Sequence, residues 1–185
     1  MTAALPTVIV LAAGRGERFL ASGAASHKLD TLLSGKPMLS HTLAAVQSSG
    51  LPWHLVRPEC GTGGMGESIA MGVRATSEAA GWLILPGDLP LVEAATLRHV
   101  AGALVEQRIV VPRFHQQSGH PVGFGRRYFQ ALAALEGDVG AAAIVRQARI
   151  SDNVQDLPVT DDGIIRDVDT LADLALAQER LRTRR

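Results

Sequence analysis

Apolar residues in this chain come in short unbroken runs, separated by polar and glycine-rich segments. The first, Val8-Ile-Val-Leu11, sits within 7–13. Such a run suits a strand buried on both faces and is too short for a buried helix. Trp82-Leu-Ile-Leu85 and Ile109-Val-Val-Pro112 read the same way. Trp53–Arg57 and Pro121–Phe124 predict shorter strands, and Asn153–Val159 and Ile164–Val168 two more. Between these runs the apolar spacing becomes helical. Leu39, Leu43 and Val46 form a stripe that stops at Gly50, and Pro37 opens that helix from the Gly35-Lys36-Pro37 turn. Met65, Ile69 and Val73 mark a second helix. Leu97, Val100, Ala101, Leu104 and Val105 fall at i, i+3, i+4, i+7 and i+8 and mark a third. Further helices are expected from Arg126 to Leu135 and from Ala141 to Ala148. A last one starts at Thr170, where Thr170 and Asp173 hold N-cap and N3 spacing, an aspartate variant of the capping box.

Strands alternating with helices predict an α/β fold: a parallel sheet in three layers, with ligands at the carboxyl ends of the strands. The 185 residues suit one domain spanning 1–185, with no linker or repeat. Composition narrows the partners. Eighteen basic and eighteen acidic residues balance to a net charge of +0, so no long-range field draws nucleic acid or an anionic membrane. The basic cluster Arg180, Arg182, Arg184 and Arg185 reads as a solvated helix end. With one cysteine, Cys60, no intramolecular disulfide is possible, which fits a reducing cytoplasm. No basic region precedes the first apolar run, so no signal peptide is expected, and no stretch reaches membrane-spanning length.

Four segments carry candidate chemistry. After the first strand come Gly14 and Gly16 with Arg15 and Arg18, and Lys28 follows. Glycines let the backbone approach a ligand and turn free N–H groups toward an anion, and guanidinium and ammonium groups suit a polyphosphate. The loop is neither a Walker A motif nor a full dinucleotide fingerprint, since Phe19 stands where a third glycine belongs. A plain tight turn is its rival reading. Asp88 lies in Pro86-Gly-Asp-Leu-Pro90 at a strand's carboxyl end, placed to hold Mg²⁺ or simply to bond its own backbone in a turn. Asp167 and Asp169 alternate, so on a strand they share one face; one of them serves as a mere neighbour of the helix start. Ser118-Gly-His-Pro121 places a histidine in a loop, and the six histidines form no zinc pattern.

The order of these segments resembles the MobA-like nucleotidyltransferases, and within them the molybdenum cofactor cytidylyltransferases. The matching pieces are Leu11-Ala-Ala-Gly-Arg-Gly-Glu-Arg-Phe19, His27-Lys-Leu29, Gly64-Met-Gly-Glu-Ser-Ile69, Leu85-Pro-Gly-Asp-Leu-Pro90, Gly119-His-Pro-Val122, Gly137-Asp-Val-Gly140 and Asp167-Val-Asp-Thr170. The resemblance implies a Rossmann-like mixed, mostly parallel sheet of the nucleotide-diphospho-sugar transferase type. It implies Mg²⁺-dependent transfer of a nucleoside monophosphate from an NTP to a phosphate-bearing acceptor, with release of pyrophosphate. By matching motif, Leu11, Ala12, Ala13, Gly14, Gly16, Arg18, Lys28 and Gly87 bind nucleotide, Lys28, Arg18 and Asp88 are catalytic, Asp88 and Asp169 hold the metal, and Ser68, His120 and Pro121 face the acceptor. Alanine at position 13 resembles the CTP-using branch, so CMP transfer to molybdenum cofactor is the expected reaction. A molybdoenzyme or its chaperone is the implied protein partner. The alternatives are a sugar phosphate or another cofactor phosphate as acceptor, or a non-catalytic nucleotide-binding accessory protein. Residues 51–60 hold one strand where the family has a strand–helix–strand unit, so the sheet is expected to be shortened after residue 50.

Overall fold

The computed structural model describes residues 4–184. Arg185, the last of the basic cluster, lies outside the described residues. In chain order the elements are β1 (Thr7–Leu11), α1 (Glu17–Ala21), β2 (Leu32–Leu33), β3 (Lys36–Pro37), α2 (Met38–Ser49), β4 (Trp53–Val56), α3 (Met65–Ala75), β5 (Gly81–Pro86), α4 (Ala94–Ala103), β6 (Ile109–Phe114), β7 (Gln117–Ser118), β8 (Val122–Gly125), α5 (Phe129–Ala133), α6 (Ala142–Ile150), β9 (Val154–Pro158) and α7 (Leu171–Thr183). Single 3-10 turns occupy Lys28–Asp30, Arg126–Tyr128 and Asp162–Ile165.

Seven strands form one mixed sheet. β1 pairs in parallel with β4 on one side and β5 on the other, and β9 runs parallel to β6. β8 lies antiparallel between β5 and β6. The main direction is therefore shared by β4, β1, β5, β6 and β9, with β7 and β8 reversed. The period-2 alternation of β1 and β5 divides the core. Val8, Val10, Leu83 and Leu85 face α2 and α4 through Leu39, Val46, Leu97 and Val100. Ile9, Trp82 and Ile84 face the opposite layer, where Ile69 and Val73 of α3, Leu132 of α5 and Ala148 of α6 meet them. Both faces are covered, which is why these strands read as unbroken apolar runs.

The structure differs from expectation at several places. Ile164–Val168 is not a strand. Ile164 ends in the 3-10 turn, and Val168 inserts beneath α7 with Phe19, Leu33, Met38, Leu91 and Ala177. Val168 thus plugs a small separate core, Ile164 and Ile165 join the larger core with Leu39 and Leu97, and the segment forms no strand ladder. Gly35-Lys36-Pro37 is part of a tight β2–β3 hairpin, with Pro37 as the N-cap of α2. The polar segment 113–120 extends β6 and adds β7. The helix expected from Arg126 begins as a 3-10 turn and becomes α5 only at Phe129. Between α2 and α3 there is one strand, β4, which forms an edge of the sheet, as the short segment after residue 50 implied.

The segment between β9 and α7 crosses the carboxyl end of the sheet and is held from below. Asp161 is almost fully buried. It accepts hydrogen bonds from Glu93 N at 2.9 Å, Thr96 Oγ1 at 2.7 Å and Gly163 N at 2.8 Å. Arg180 and Arg184 of the C-terminal segment pair with Asp162, and Arg184 donates to the Leu91 carbonyl at 2.9 Å. A buried carboxylate with its donors removed, or the donors without the carboxylate, is costly. Asp161→Ala is expected to lower the unfolding free energy by about 2–4 kcal/mol, read as a lower urea midpoint with an unchanged slope.

Candidate functional site

β1 and β5 end side by side, Leu11 opposite Pro86, and Gly87 N donates to the Leu11 carbonyl at 2.8 Å. The loops that leave them therefore emerge together on one rim. A cleft of about 870 Å³ opens there. One wall is the glycine/arginine loop. Gly16 sits at φ 66°, a left-handed conformation that glycine adopts without strain. The amides of Gly14, Arg15 and Gly16 find no hydrogen-bond partner among the described residues. The facing wall is built from two glycine-dense turns. Gly64 leaves no room for a side chain, because a Cβ would stand 2.5 Å from the Asp138 backbone. Met65 N donates to Asp138 Oδ1 at 3.3 Å and Glu67 N to the Gly137 carbonyl at 3.1 Å, so 137–140 seals the start of α3.

Charge gathers on the floor. Asp88, Asp167 and Asp169 each offer a carboxylate oxygen within 4.8 Å of the others. Val168 N donates to the Asp88 carbonyl at 3.0 Å and fixes the strap 167–169 against the end of β5. Lys28 Nζ lies between two of the acids, 2.7 Å from Asp88 Oδ2 and 3.0 Å from Asp169 Oδ1. Arg18, on an otherwise exposed side chain, reaches Asp169 Oδ2 at 3.3 Å. Burial pulls the Lys28 ammonium down, but Asp88 and then Asp169 outweigh it and leave it above its ordinary value. Asp167 is pushed up to about 6, first by loss of water around its carboxyl, then by its hydrogen bond to Asp169 and the negative charges of Asp169 and Asp88. Asp169 moves the other way. Burial opposes ionisation, and the bonds from Asp167 and Lys28, with Arg18 nearby, hold it below the usual carboxylate range.

The residues singled out in the sequence fall into two groups. Leu11, Ala13, Gly14, Gly16, Arg18, Lys28, Asp88, Asp169, Ser68 and His120 line the cleft. Ala12, Gly87 and Pro121 stand behind its surface. Ala12 is buried and bonds the Val56 carbonyl, while the Gly87 carbonyl accepts from Thr42 Oγ1 at 2.8 Å. Ser68 is buried too, and its hydroxyl meets the Gly64 carbonyl at 3.0 Å and Thr62 Oγ1 at 2.6 Å. His120 is half-buried, and its Nδ1 is shielded without a partner among the described residues. Burial lowers its basicity against the pull of Asp88. Asp167 joins the acid cluster through a bent strap, without the strand on which the Asp-x-Asp spacing was read. His27 escaped notice as an individual residue; only its place before Lys28 hinted at it.

Three hard carboxylate oxygens around one point fit a small divalent cation, and the unpaired loop amides facing the same cleft fit an anion. Residues 8–154 match the family model of the MobA-like NTP transferase domain. The bifunctional protein GlmU of Xanthomonas oryzae pv. oryzae (strain MAFF 311018) is 28% identical over 182 residues, covering 85% of this chain and 37% of that protein. The chain thus spans little more than a third of the curated relatives it matches. Rv0371c from Mycobacterium tuberculosis H37Rv superposes with a TM-score of 0.75 at 26% identity, over 97% of this chain and 100% of that one. A complex of that protein with manganese superposes at 0.70 and 25%, over 96% and 100%. A nucleotidyl transferase from Methanothermobacter thermautotroptrophicus (Mth528) gives 0.80 at 21%, over 97% and 99%, and shares the fold.

A divalent cation held by these acids would take the ionised Asp167 carboxylate, so its affinity is expected to fall as pH drops through about 6, where Asp167 gains its proton. Calorimetric titration with Mn²⁺ is expected to show weakening from pH 7 to pH 5, and Asp167→Asn flattens that slope.

Proposed function

As a member of the MobA-like NTP transferase family, to which the match over 8–154 assigns it, this chain is a nucleotidyltransferase, and we propose that it moves a nucleoside monophosphate, CMP by preference, from an NTP to the phosphate of molybdenum cofactor. The convergence of the Gly14–Gly16 amides, Lys28 and three carboxylates on one rim carries this reading. A polyphosphate needs donors along its length and cations at its charge maxima, and both stand within one cleft. Asp88 and Asp169, with Asp167 beside them, are the residues to hold Mg²⁺, and that Rv0371C forms a complex with manganese supports a divalent ion here. A bound ion there supplies charge neutralisation on the phosphate oxygens.

The chain's own part is alignment. The acceptor phosphate oxygen forms a bond to the α-phosphorus while the bond to the β-phosphate bridging oxygen breaks, and pyrophosphate leaves. No side chain becomes covalently attached. The loop amides and Arg18 receive the triphosphate, and Lys28 meets charge that builds on the leaving pyrophosphate. The acceptor lies against the far wall, where Ser68, His120 and half-exposed Met65 combine hydrogen-bonding groups with one polarizable apolar surface. That mixture suits a flat heteroaromatic body bearing a phosphate. Small Ala13 at the loop supports CTP as donor. A molybdoenzyme or its chaperone is the fitting recipient of such a product.

Pyrophosphate release with CTP, GTP, ATP and UTP, Mg²⁺, and either molybdenum cofactor or a hexose 1-phosphate tests the reading. Release only with CTP and molybdenum cofactor supports it. Release with the sugar phosphate reassigns the acceptor, and none with any pair removes the catalytic assignment. Asp88→Ala is expected to abolish metal-dependent release while the circular dichroism spectrum stays native. Lys28→Ala is expected to act in opposite directions on two ligands. NTP binding weakens about a hundredfold with the loss of one phosphate cation. Bare Mn²⁺ binds about tenfold tighter, because the ammonium no longer stands between the acids.

A further inference from the structure

His27 lies behind the phosphate loop and outside the cleft wall, yet it spends every polar atom of its side chain on the loop's surroundings. Its Nε2 is 2.7 Å from the Gly14 carbonyl. Its Nδ1 is 3.2 Å from Leu29 N. A backbone N–H can only donate, so Nδ1 is the bare, accepting nitrogen. The ring proton of the neutral imidazole is then on Nε2 and is donated to Gly14. The two contacts fix the tautomer between them. The His27 carbonyl is also engaged, accepting from Asp30 N at 3.0 Å and Thr31 N at 3.1 Å. One residue thus joins the glycine/arginine loop to the 3-10 turn that begins with Lys28.

The bond to Gly14 has a directional effect. In a trans peptide the carbonyl and the following N–H point opposite ways. Drawing the Gly14 carbonyl back onto His27 turns the Arg15 amide away from it, toward the cleft that Arg15 lines. It also keeps a carbonyl oxygen, which would repel phosphate, off the inner surface. Gly16 reinforces the fit. A Cβ there would come within 3.4 Å of His27 Nε2, so the ring and the loop are packed together as well as bonded.

We propose that His27 is a positioning residue for triphosphate capture: its Nε2–H holds the Gly14–Gly16 loop in the receiving conformation, and its Nδ1 locks that loop in register with Lys28. The proposal rests on the triphosphate reading above. It assigns His27 no contact with substrate. Without the brace the loop samples conformations that aim its carbonyl inward, and only a fraction of molecules is competent to bind.

Two substitutions divide the role. Glutamine places an amide nitrogen where His Nε2 stands, so His27→Gln keeps the tie to Gly14 and loses the cap on Leu29. Asparagine places an oxygen where Nδ1 stands, so His27→Asn keeps the cap and loses the tie. The probes are backbone ¹⁵N order parameters over 13–17 in the free protein and calorimetric titration with inorganic tripolyphosphate and Mg²⁺, which is blind to the base. His27→Asn is expected to lower the order parameters and to weaken tripolyphosphate about tenfold, while His27→Gln keeps the wild-type order and stays within about twofold in affinity. Unchanged order parameters and affinity in His27→Asn overturn the proposal. So does equal weakening in both variants with a shared fall in Tm, which marks a structural role alone. A wild-type protein that takes no tripolyphosphate overturns the triphosphate reading and the proposal with it, and the order parameters then report separately whether the tie exists.

Discussion

Three carboxylates that approach within 4.8 Å of one another repel unless something positive stands among them, and here the Lys28 ammonium does so at 2.7 and 3.0 Å. The arrangement draws on three distant parts of the chain. Lys28 comes from the turn after the first loop, Asp88 from the end of β5, and Asp169 from the strap before α7. Much of the surrounding architecture serves to bring them together. Parallel pairing of β1 with β5 sets two of the loops side by side, and the Val168–Asp88 backbone bond seats the third. Asp161 and the arginines of the C-terminal segment keep the strap down. The lysine therefore supplies the positive charge that lets the acids share one floor.

What could be read in the sequence depended on whether the signal was local. The runs at Val8–Leu11, Trp82–Leu85 and Ile109–Val111 are buried on both faces by two helical layers, so their apolar character is unbroken and unambiguous. The Thr170–Asp173 capping box is likewise written in four residues, and the structure forms it in full. Asp88 was legible because proline and glycine crowd a carboxylate at a strand end. The two-residue strands β2, β3 and β7 left no pattern, since they are too short to alternate. Ile164–Val168 misled because an apolar plug and a buried strand share a composition. Val168 packs with Leu91, Phe19 and Ala177, and Ile164 with the larger core, remote residues that no local window contains. Asp161 was invisible for the same reason, since its partners Glu93 and Thr96 lie far along the chain, and His27 figured only as the residue before Lys28.

The short segment between α2 and α3 brings the sheet's margin straight to the cleft. β4 pairs with β1 and ends the sheet, and the loop after it runs directly to the glycine-dense start of α3. The cleft walls come from the ends of β1 and β5 and from turns that lock onto one another at Gly64 and Asp138. Rv0371c superposes over 97% of this chain and 100% of its own, so the overall plan is shared from end to end.

The separation of 141 positions between Lys28 and Asp169 also orders events in time. A chain is synthesised from its N-terminus at about 5–20 residues per second. β1, the glycine/arginine loop and β5 are therefore in hand seconds before the strap emerges. Contacts so distant in sequence close late and slowly. Until they close, the N-terminal two thirds carries a lysine and a single acid on an open rim, with Phe19, Leu33 and Met38 uncovered where α7 will lie. The elements that complete the charged site, the strap and α7, are the same ones that cover this apolar hollow, so the site and the small core close together.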